Sequence, residues 1–161
     1  MCSSDLDVFH DVFGHVPMLT DPVFADYMQA YGAGGLRALG VDHLRHLARL
    51  YWHTVEFGLV RDDGGLKIYG AGIVSSHGET RHALEAAEPL RLVFDMERVM
   101  RTPYRIDRFQ QTYFVIPSIP ALLEATLQDF GPLYARLDGA PDHAMDTLAP
   151  GDRVVAVAAG Q

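Results

Sequence analysis

The chain has 161 residues, 48% of them hydrophobic and 21% charged, with 21 acidic against 13 basic side chains and a formal net charge of -8. That is apolar content for one well-formed core, and the acidic balance argues against nucleic acid or an anionic membrane as partner, because both call for clustered Lys and Arg. No apolar run approaches the roughly 20 residues of a spanning helix, no secretory-signal layout opens the chain, and the single cysteine, Cys2, cannot form an internal disulfide, so a cytoplasmic home is expected.

Taken in chain order, the predicted elements make an α+β, predominantly helical fold. Asp7 is placed to cap a short helix from Val8 to Phe13, which Gly14 ends and Pro17 keeps from resuming. Asp21-Pro22 opens a second helix on which Phe24, Tyr27, Met28 and Tyr31 recur at helical spacing, with Gly32 as its stop. Asp42 opens a third, striped by Leu44, Leu47, Ala48, Tyr51 and Val55 and closed by Gly58. Asp62-Asp63-Gly64-Gly65 reads as a turn and Leu66 to Tyr69 as a strand running into Gly70-Ala71-Gly72. Ser76, with Glu79 three residues on, has the pattern of a capping box for a helix to about Leu84, and Asp95 is placed to cap another. Thr112 to Ile116 is β-branched and aromatic and reads as a strand. Ser118 and Pro120 open a helix carrying Leu122, Leu123, Leu127 and Phe130; from Gly139 the Pro-, Gly- and Ala-rich tail reads as loosely held.

The sharpest local feature is His10-Asp11-Val12-Phe13-Gly14-His15. Metal-binding helices place two histidines four apart; five apart is about 140° of rotation on a regular helix, too far for shared ligation. A helix ending at Gly14 would let the chain turn and bring His15 back beside His10. A close histidine pair alone is more often surface or core than ligand, so the pattern needs a third donor. Glu56, flanked by Phe57 and by Trp52 one turn earlier, is one candidate, since a carboxylate among aromatics is costly unless paired or metal-bound. An equally supported alternative sets Glu56 on a solvated face beside Arg45 and Arg49. Two histidines and one carboxylate form the facial triad of non-heme iron(II) oxygenases, although zinc hydrolases use the same donor types.

Four ordered blocks carry a wider resemblance: Asp7-Val8-Phe9-His10-Asp11-Val12-Phe13-Gly14-His15-Val16-Pro17, Leu50-Tyr51-Trp52-His53-Thr54-Val55-Glu56-Phe57-Gly58-Leu59, Tyr69-Gly70-Ala71-Gly72-Ile73-Val74-Ser75-Ser76, and Tyr104-Arg105-Ile106-Asp107-Arg108-Phe109-Gln110-Gln111-Thr112-Tyr113-Phe114. Together they resemble the pterin-dependent aromatic amino acid hydroxylases, closest to the bacterial phenylalanine hydroxylases, over residues 7–137. The resemblance implies that family's catalytic-domain fold, N-terminally truncated, with Fe(II) on His10, His15 and Glu56. It implies that Ser75 orients the first histidine, that Trp52, Gly72, Tyr104 and Ile106 surround the substrate, and that Asp11, Ala48 and Tyr51 lie near tetrahydrobiopterin. Asp11 reads equally well as a solvated helix residue, and the capping box is sufficient to explain Glu79. The implied reaction is hydroxylation of L-phenylalanine to L-tyrosine with O2 and tetrahydrobiopterin. Ile106 stands where the family is apolar in phenylalanine hydroxylases and acidic in tyrosine hydroxylases.

Two departures qualify this resemblance. The family's catalytic domain begins well upstream of the first histidine, with the substrate-carboxylate arginine and the pterin-stacking loop, and Leu6 stands where the family has proline. Met1 to Leu6 read as a non-native leader: Cys-Ser-Ser-Asp-Leu is encodable by TGCTCTTCCGATCT, which resembles the end of a sequencing adapter. Residues 7–137 are then a partial catalytic domain, residues 138–161 a tail, and the chain by itself is expected to be weakly stable or inactive. The alternatives are a tryptophan or tyrosine hydroxylase, a non-catalytic iron-binding or interaction domain, and a zinc hydrolase, the last disfavoured by the five-residue spacing and the lack of Glu after His10. Without a long heptad-patterned helix, a monomer is expected.

Overall fold

The computed structural model describes residues 8–156. The expected Asp7 cap and the leader, residues 1–6, lie outside the described residues.

The first helical run, α1, spans residues 8–18 without a break at Gly14. Its middle, Asp11–His15, is a π turn, and Val16 N–H donates to Asp11 O five residues back. Gly14 therefore does not end the helix; it is buried against Ala71, where a Cβ would stand 2.9 Å from the Ala71 Cβ. Pro17 sits at the start of the closing stretch Val16–Met18, where a missing N–H is tolerated.

α2, Pro22–Ala38, begins as expected, with the Asp21 carboxylate accepting from Val23 N–H at 2.8 Å and Phe24 N–H at 3.3 Å. It runs past Gly32 to a 3-10 turn at Leu39–Val41. A helical glycine costs only about 1 kcal/mol relative to alanine, and burial of Ala38 at the far end outweighs it. α3, Leu44–Tyr51, starts two residues after Asp42, which is left-handed rather than a cap, and continues into a second π turn at Trp52–Glu56. The buried face holds His43, His46, Leu47 and Leu50; Leu44 and Ala48, expected on the apolar stripe, are exposed.

Among the described residues the sheet has four strands: β1 (Leu59–Asp62), β2 (Gly65–Ile68), β3 (Leu90–Val93) and β4 (Thr112–Ile116), in the order β2-β1-β4-β3. β1 and β2 form an antiparallel hairpin, and β4 runs parallel to both β1 and β3. All five β4 residues are buried, as a central strand covered on both faces requires. Tyr113 and Val115 point into a cluster with Leu59, Ile73 and Ala83, whereas Phe114 and Ile116 point to the opposite face and the helical cores around Leu50 and Tyr27. Between the strands lie α4 (Ala71–Val74), α5 (His77–Glu85) and α6 (Met96–Met100), and α7 (Ile119–Leu127) and α8 (Gly131–Leu137) follow β4. Ser76, Asp95 and Ser118 cap their helices as expected, while Phe130 precedes α8 instead of riding on α7.

The segment from Gly139 to Ala156 is not loosely held. Asp142 makes a bidentate pair with Arg49, Asp152 is buried against Arg98, and Val155 N–H donates to Arg91 O at 2.7 Å. Among the described residues no helix is long and apolar enough to cross a membrane.

Candidate functional site

The two π turns build the site. A turn closed by an i→i+5 hydrogen bond holds one more residue than an α turn, so it stacks side chains five apart on one face. On α1 this brings the His10 and His15 rings edge to face, centroids 4.6 Å apart, with their Nε2 atoms separated by 2.9 Å. The π turn after α3, closed by Phe57 N–H to Trp52 O at 2.9 Å, presents Glu56 to them. Its carboxylate oxygens lie 3.4 Å from His10 Nε2 and 3.2 Å from His15 Nε2. Among the described residues, these are the three His, Cys, Asp or Glu side chains whose donor atoms fall within 4.8 Å of one another. The Glu56 side chain is only 12% exposed, so its charge is turned inward and not onto a solvated face. Arg49, the alternative partner, is taken up by Asp142 and Met100 O.

Ser75 fixes the first imidazole. Its hydroxyl donates to Ala71 O at 2.8 Å, so at 2.8 Å from His10 Nδ1 it acts as acceptor. Nδ1 therefore carries the proton, and the lone pair sits on Nε2, facing Glu56 and His15. Close backbone contact sets this register: a Cβ on Gly70 would stand 2.5 Å from Glu56 O and Gly58 N, so only glycine lets α4 start against the end of the π turn. The donor set fits a single first-row divalent ion: ligand atoms about 2.1 Å from a shared metal stand about 3 Å apart. Ser75→Ala is expected to weaken Fe(II) binding about 10–100-fold without loss of fold, measured by anaerobic equilibrium dialysis.

Beside this cluster lies a cleft of about 550 Å³ lined by Trp52, Phe57, Gly72, Glu79, Ile106 and Gln110. Trp52 stacks on Tyr104 at 4.3 Å and 13° and lies 4.8 Å from the Phe57 ring. Gly72 has no room for a side chain, since a Cβ would stand 2.8 Å from Phe57 Cζ. Ile106 is at the rim, 82% exposed.

The sequence model described as "Biopterin-dependent aromatic amino acid hydroxylase" matches residues 1–135. The chain belongs to the biopterin-dependent aromatic amino acid hydroxylase family. It is 64% identical over 149 residues to the phenylalanine-4-hydroxylase of Caulobacter vibrioides, covering 92% of this chain and 51% of that protein. To the phenylalanine-4-hydroxylase of Ralstonia nicotianae it is 58% identical over 149 residues, covering 92% and 48%. The iron- and phenylalanine-bound structure of Chromobacterium violaceum phenylalanine hydroxylase superposes with a TM-score of 0.90 at 54% identity, covering 92% of this chain and 55% of that one. The chain spans about half the length of the relatives it matches.

Of the residues of this hydroxylase chain that the resemblance assigns to the substrate, Trp52, Gly72 and Ile106 line the cleft and Tyr104 meets it only by stacking on Trp52; the three assigned to the pterin lie off it. Asp11 is exposed on α1, and Ala48 is exposed one turn before Tyr51 on α3. Burial, then the adjacent Glu56 carboxylate, push the Tyr51 phenol up to about 12, and Asp11 adds to that push. Tyr51 therefore keeps its proton near neutral pH.

Sequence reasoning missed Gln110, whose Oε1 accepts from the Trp52 indole N–H at 3.1 Å. It also gave Glu79 the wrong partners. Ser76 does accept from Glu79 N–H, but the Glu79 side chain does not return to Ser76; it accepts from Gln110 N–H and the Tyr113 hydroxyl. Only the tertiary fold brings residues 31 and 34 positions apart into contact, so no local pattern signals this.

His53, on the same π turn, is buried, with Nε2–H donating to Thr102 O at 3.1 Å, and desolvation lowers it from 6.5 to about 4. The unfolded chain takes up this proton at the ordinary value while the folded one does not, so stability is lost as pH falls from 6.5 towards 4. His53→Phe preserves an edge-on ring against Phe114. It is expected to remove about 2 kcal/mol of the stability difference between about pH 7 and about pH 4.5, read by urea unfolding. His46, also lowered to about 4 by burial, and His143, lowered by burial as well, contribute slope of the same sign.

Proposed function

We propose that the protein carrying this chain hydroxylates L-phenylalanine to L-tyrosine, using O2 and tetrahydrobiopterin, at Fe(II) held by His10, His15 and Glu56. The observation that carries this reading is the meeting of three donors within 4.8 Å beside an aromatic-walled cleft, in a chain of this family. Bound iron(II) with reduced pterin supplies activation of dioxygen, chemistry that no side chain provides.

The chain's own residues bind and orient. His10, His15 and Glu56 approach from one side, and Ser75 holds His10 with its Nε2 lone pair available. Trp52, with Tyr104 stacked on it, and Phe57 form a wall for the substrate ring, of which Trp52 and Phe57 line the cleft, while Gly72 keeps the wall close to the Glu56 backbone. Tyr51, protonated beside Glu56, adds a neutral phenol, and with Asp11 and Ala48 it marks the side assigned to the pterin. Ile106 brings an apolar group to the rim, which suits an unsubstituted ring better than a phenol or catechol. Residues 7–137 are the donor-bearing part of the catalytic domain in this reading, with residues 138–161 as its C-terminal segment. Small molecules rather than nucleic acid as its ligands are supported by the chain's net charge of -8; a cytoplasmic location and a monomeric state belong to the same reading.

The test is product analysis. Protein carrying these residues is loaded anaerobically with Fe(II), then given tetrahydrobiopterin, O2 and each of L-phenylalanine, L-tyrosine and L-tryptophan. Tyrosine from phenylalanine as the main product is expected. Iron-loaded protein that yields no hydroxylated amino acid, or works chiefly on tryptophan or tyrosine, overturns the reading.

A further inference from the structure

The aromatic wall of the cleft is held by a carboxylate of the cleft's own lining, whose hydrogen bonds go to Gln110 and Tyr113 and not to the metal donors. Glu79 lies on the first turn of α5 and is 5% exposed. A buried carboxylate is costly unless its oxygens are hydrogen-bonded. One Glu79 oxygen accepts from Gln110 N–H at 3.0 Å and from the Tyr113 hydroxyl at 2.5 Å. Burial, and then this carboxylate, hold the Tyr113 phenol well above its usual range, so Tyr113 stays a donor. The Gln110 side chain is held at both ends: Oε1 accepts from the Trp52 indole N–H at 3.1 Å and Nε2 donates to Arg105 O at 2.9 Å. Trp52 in turn stacks on Tyr104. A continuous chain of contacts thus runs from α5 through the backbone and side chain of Gln110 to the indole and to the 104–110 loop bearing Ile106.

We propose that Glu79 is a positioning residue: its carboxylate locks Gln110, and through Gln110 the orientation of Trp52 and the loop at the cleft mouth. The anchoring stands on these contacts alone; its consequence for amino acid binding rests on the function proposed above. A capping role requires only the Glu79 backbone N–H, whereas the positioning role requires an acceptor at the end of its side chain. The two are separable by substitution.

Trp52 is the sole tryptophan in the 161 residues, so indole fluorescence of this chain reads its surroundings directly. Glu79→Gln retains one acceptor oxygen and is expected to leave Trp52 emission and acrylamide quenching as in the parent. Glu79→Leu keeps the bulk and the backbone cap but has no acceptor. It is expected to shift emission to the red and raise the quenching constant about twofold or more, with far-UV circular dichroism unchanged. Tyr113→Phe removes the other donor to Glu79 and is expected to leave Trp52 unaffected. If Glu79→Leu does not fold, Glu79→Asp, which withdraws the acceptor by one methylene, reads the same effect.

A folded Glu79→Leu or Glu79→Asp variant with parental Trp52 fluorescence overturns the proposal, as does a red shift equally large in Tyr113→Phe. In protein competent for turnover, Glu79→Leu is expected to raise KM for L-phenylalanine about tenfold with kcat within about threefold. Failure of turnover in the parent bears on the proposed function and leaves the fluorescence result standing.

Discussion

Glu56→Gln is expected to weaken divalent metal binding at least about 100-fold, or about 2.7 kcal/mol, while the fold survives. The substitution keeps the shape of the side chain and one acceptor oxygen but removes the negative charge that makes a hard cation favourable there. Two imidazole nitrogens 2.9 Å apart remain, and they can share an ion but do not neutralise it. His10→Ala and His15→Ala are expected to fall at least as far, because each deletes a donor outright. Ser75→Ala falls less, because it frees the His10 ring to rotate without removing a ligand. Titration with Co(II), whose visible absorption reports its ligand field, gives affinity and coordination in one experiment. A Glu56→Gln protein that binds Co(II) with parental affinity and spectrum would show that the three side chains meet without forming a metal site.

The site was more legible in the sequence than the backbone that builds it. Residue type singles out the two histidines and leaves Glu56 as one of two readings, which the family resemblance resolves; the expected route, a helix broken at Gly14, was the wrong one. The α-helical rotation of about 140° that seemed to separate His10 from His15 is removed by inserting a residue into the turn, and no residue pattern advertises a π turn. Gly14 and Gly32 were both read as stops. One is a point where α1 approaches α4 too closely for a Cβ, and the other is open to solvent on a helix held by packing at Ala38. β1 and β3 were missed because each is four residues long, carries charge (Arg61 and Asp62 in β1, Arg91 in β3) and has no cluster of turn residues ahead of it, whereas the equally short β2 follows Asp62-Asp63-Gly64-Gly65. Arg91 is tolerated because its guanidinium meets the carbonyls of His82, Ala83, Ala86 and Pro89, an arrangement that exists only once α5 has ended beside it. Glu79 was read from its neighbours in sequence when its partners were Tyr113 on β4 and Gln110 just before it.

The C-terminal segment exposes the same limit, and it yields the largest stability prediction. A stretch rich in Pro, Gly and Ala reads as loose, because composition carries no sign that two aspartates find buried or half-buried arginines. Asp152 and Arg98 are each only 6% exposed, with both carboxylate oxygens near Arg98 Nε at 3.0 and 3.2 Å. The guanidinium also donates to Thr102 Oγ1 and Thr147 O, and Asp152 accepts from Ala149 N–H. Cutting one member of such a pair leaves an uncompensated buried charge, so Asp152→Ala is expected to cost about 3–5 kcal/mol in urea unfolding. That is a large part of the roughly 5–15 kcal/mol available to a domain. Replacing both members with apolar side chains of similar volume, as in Arg98→Met with Asp152→Leu, is expected to recover most of the loss, because neither charge then needs burying. The loss should also loosen the edge of β3, where Leu92 bridges Val154 and Val93 N–H donates to Arg153 O at 2.8 Å, and hydrogen exchange at Val93 and Val155 should rise together. If Asp152→Ala costs less than about 1 kcal/mol, or exchange rises in the tail but not at Val93, the segment merely lies on the domain and forms no part of its folding unit.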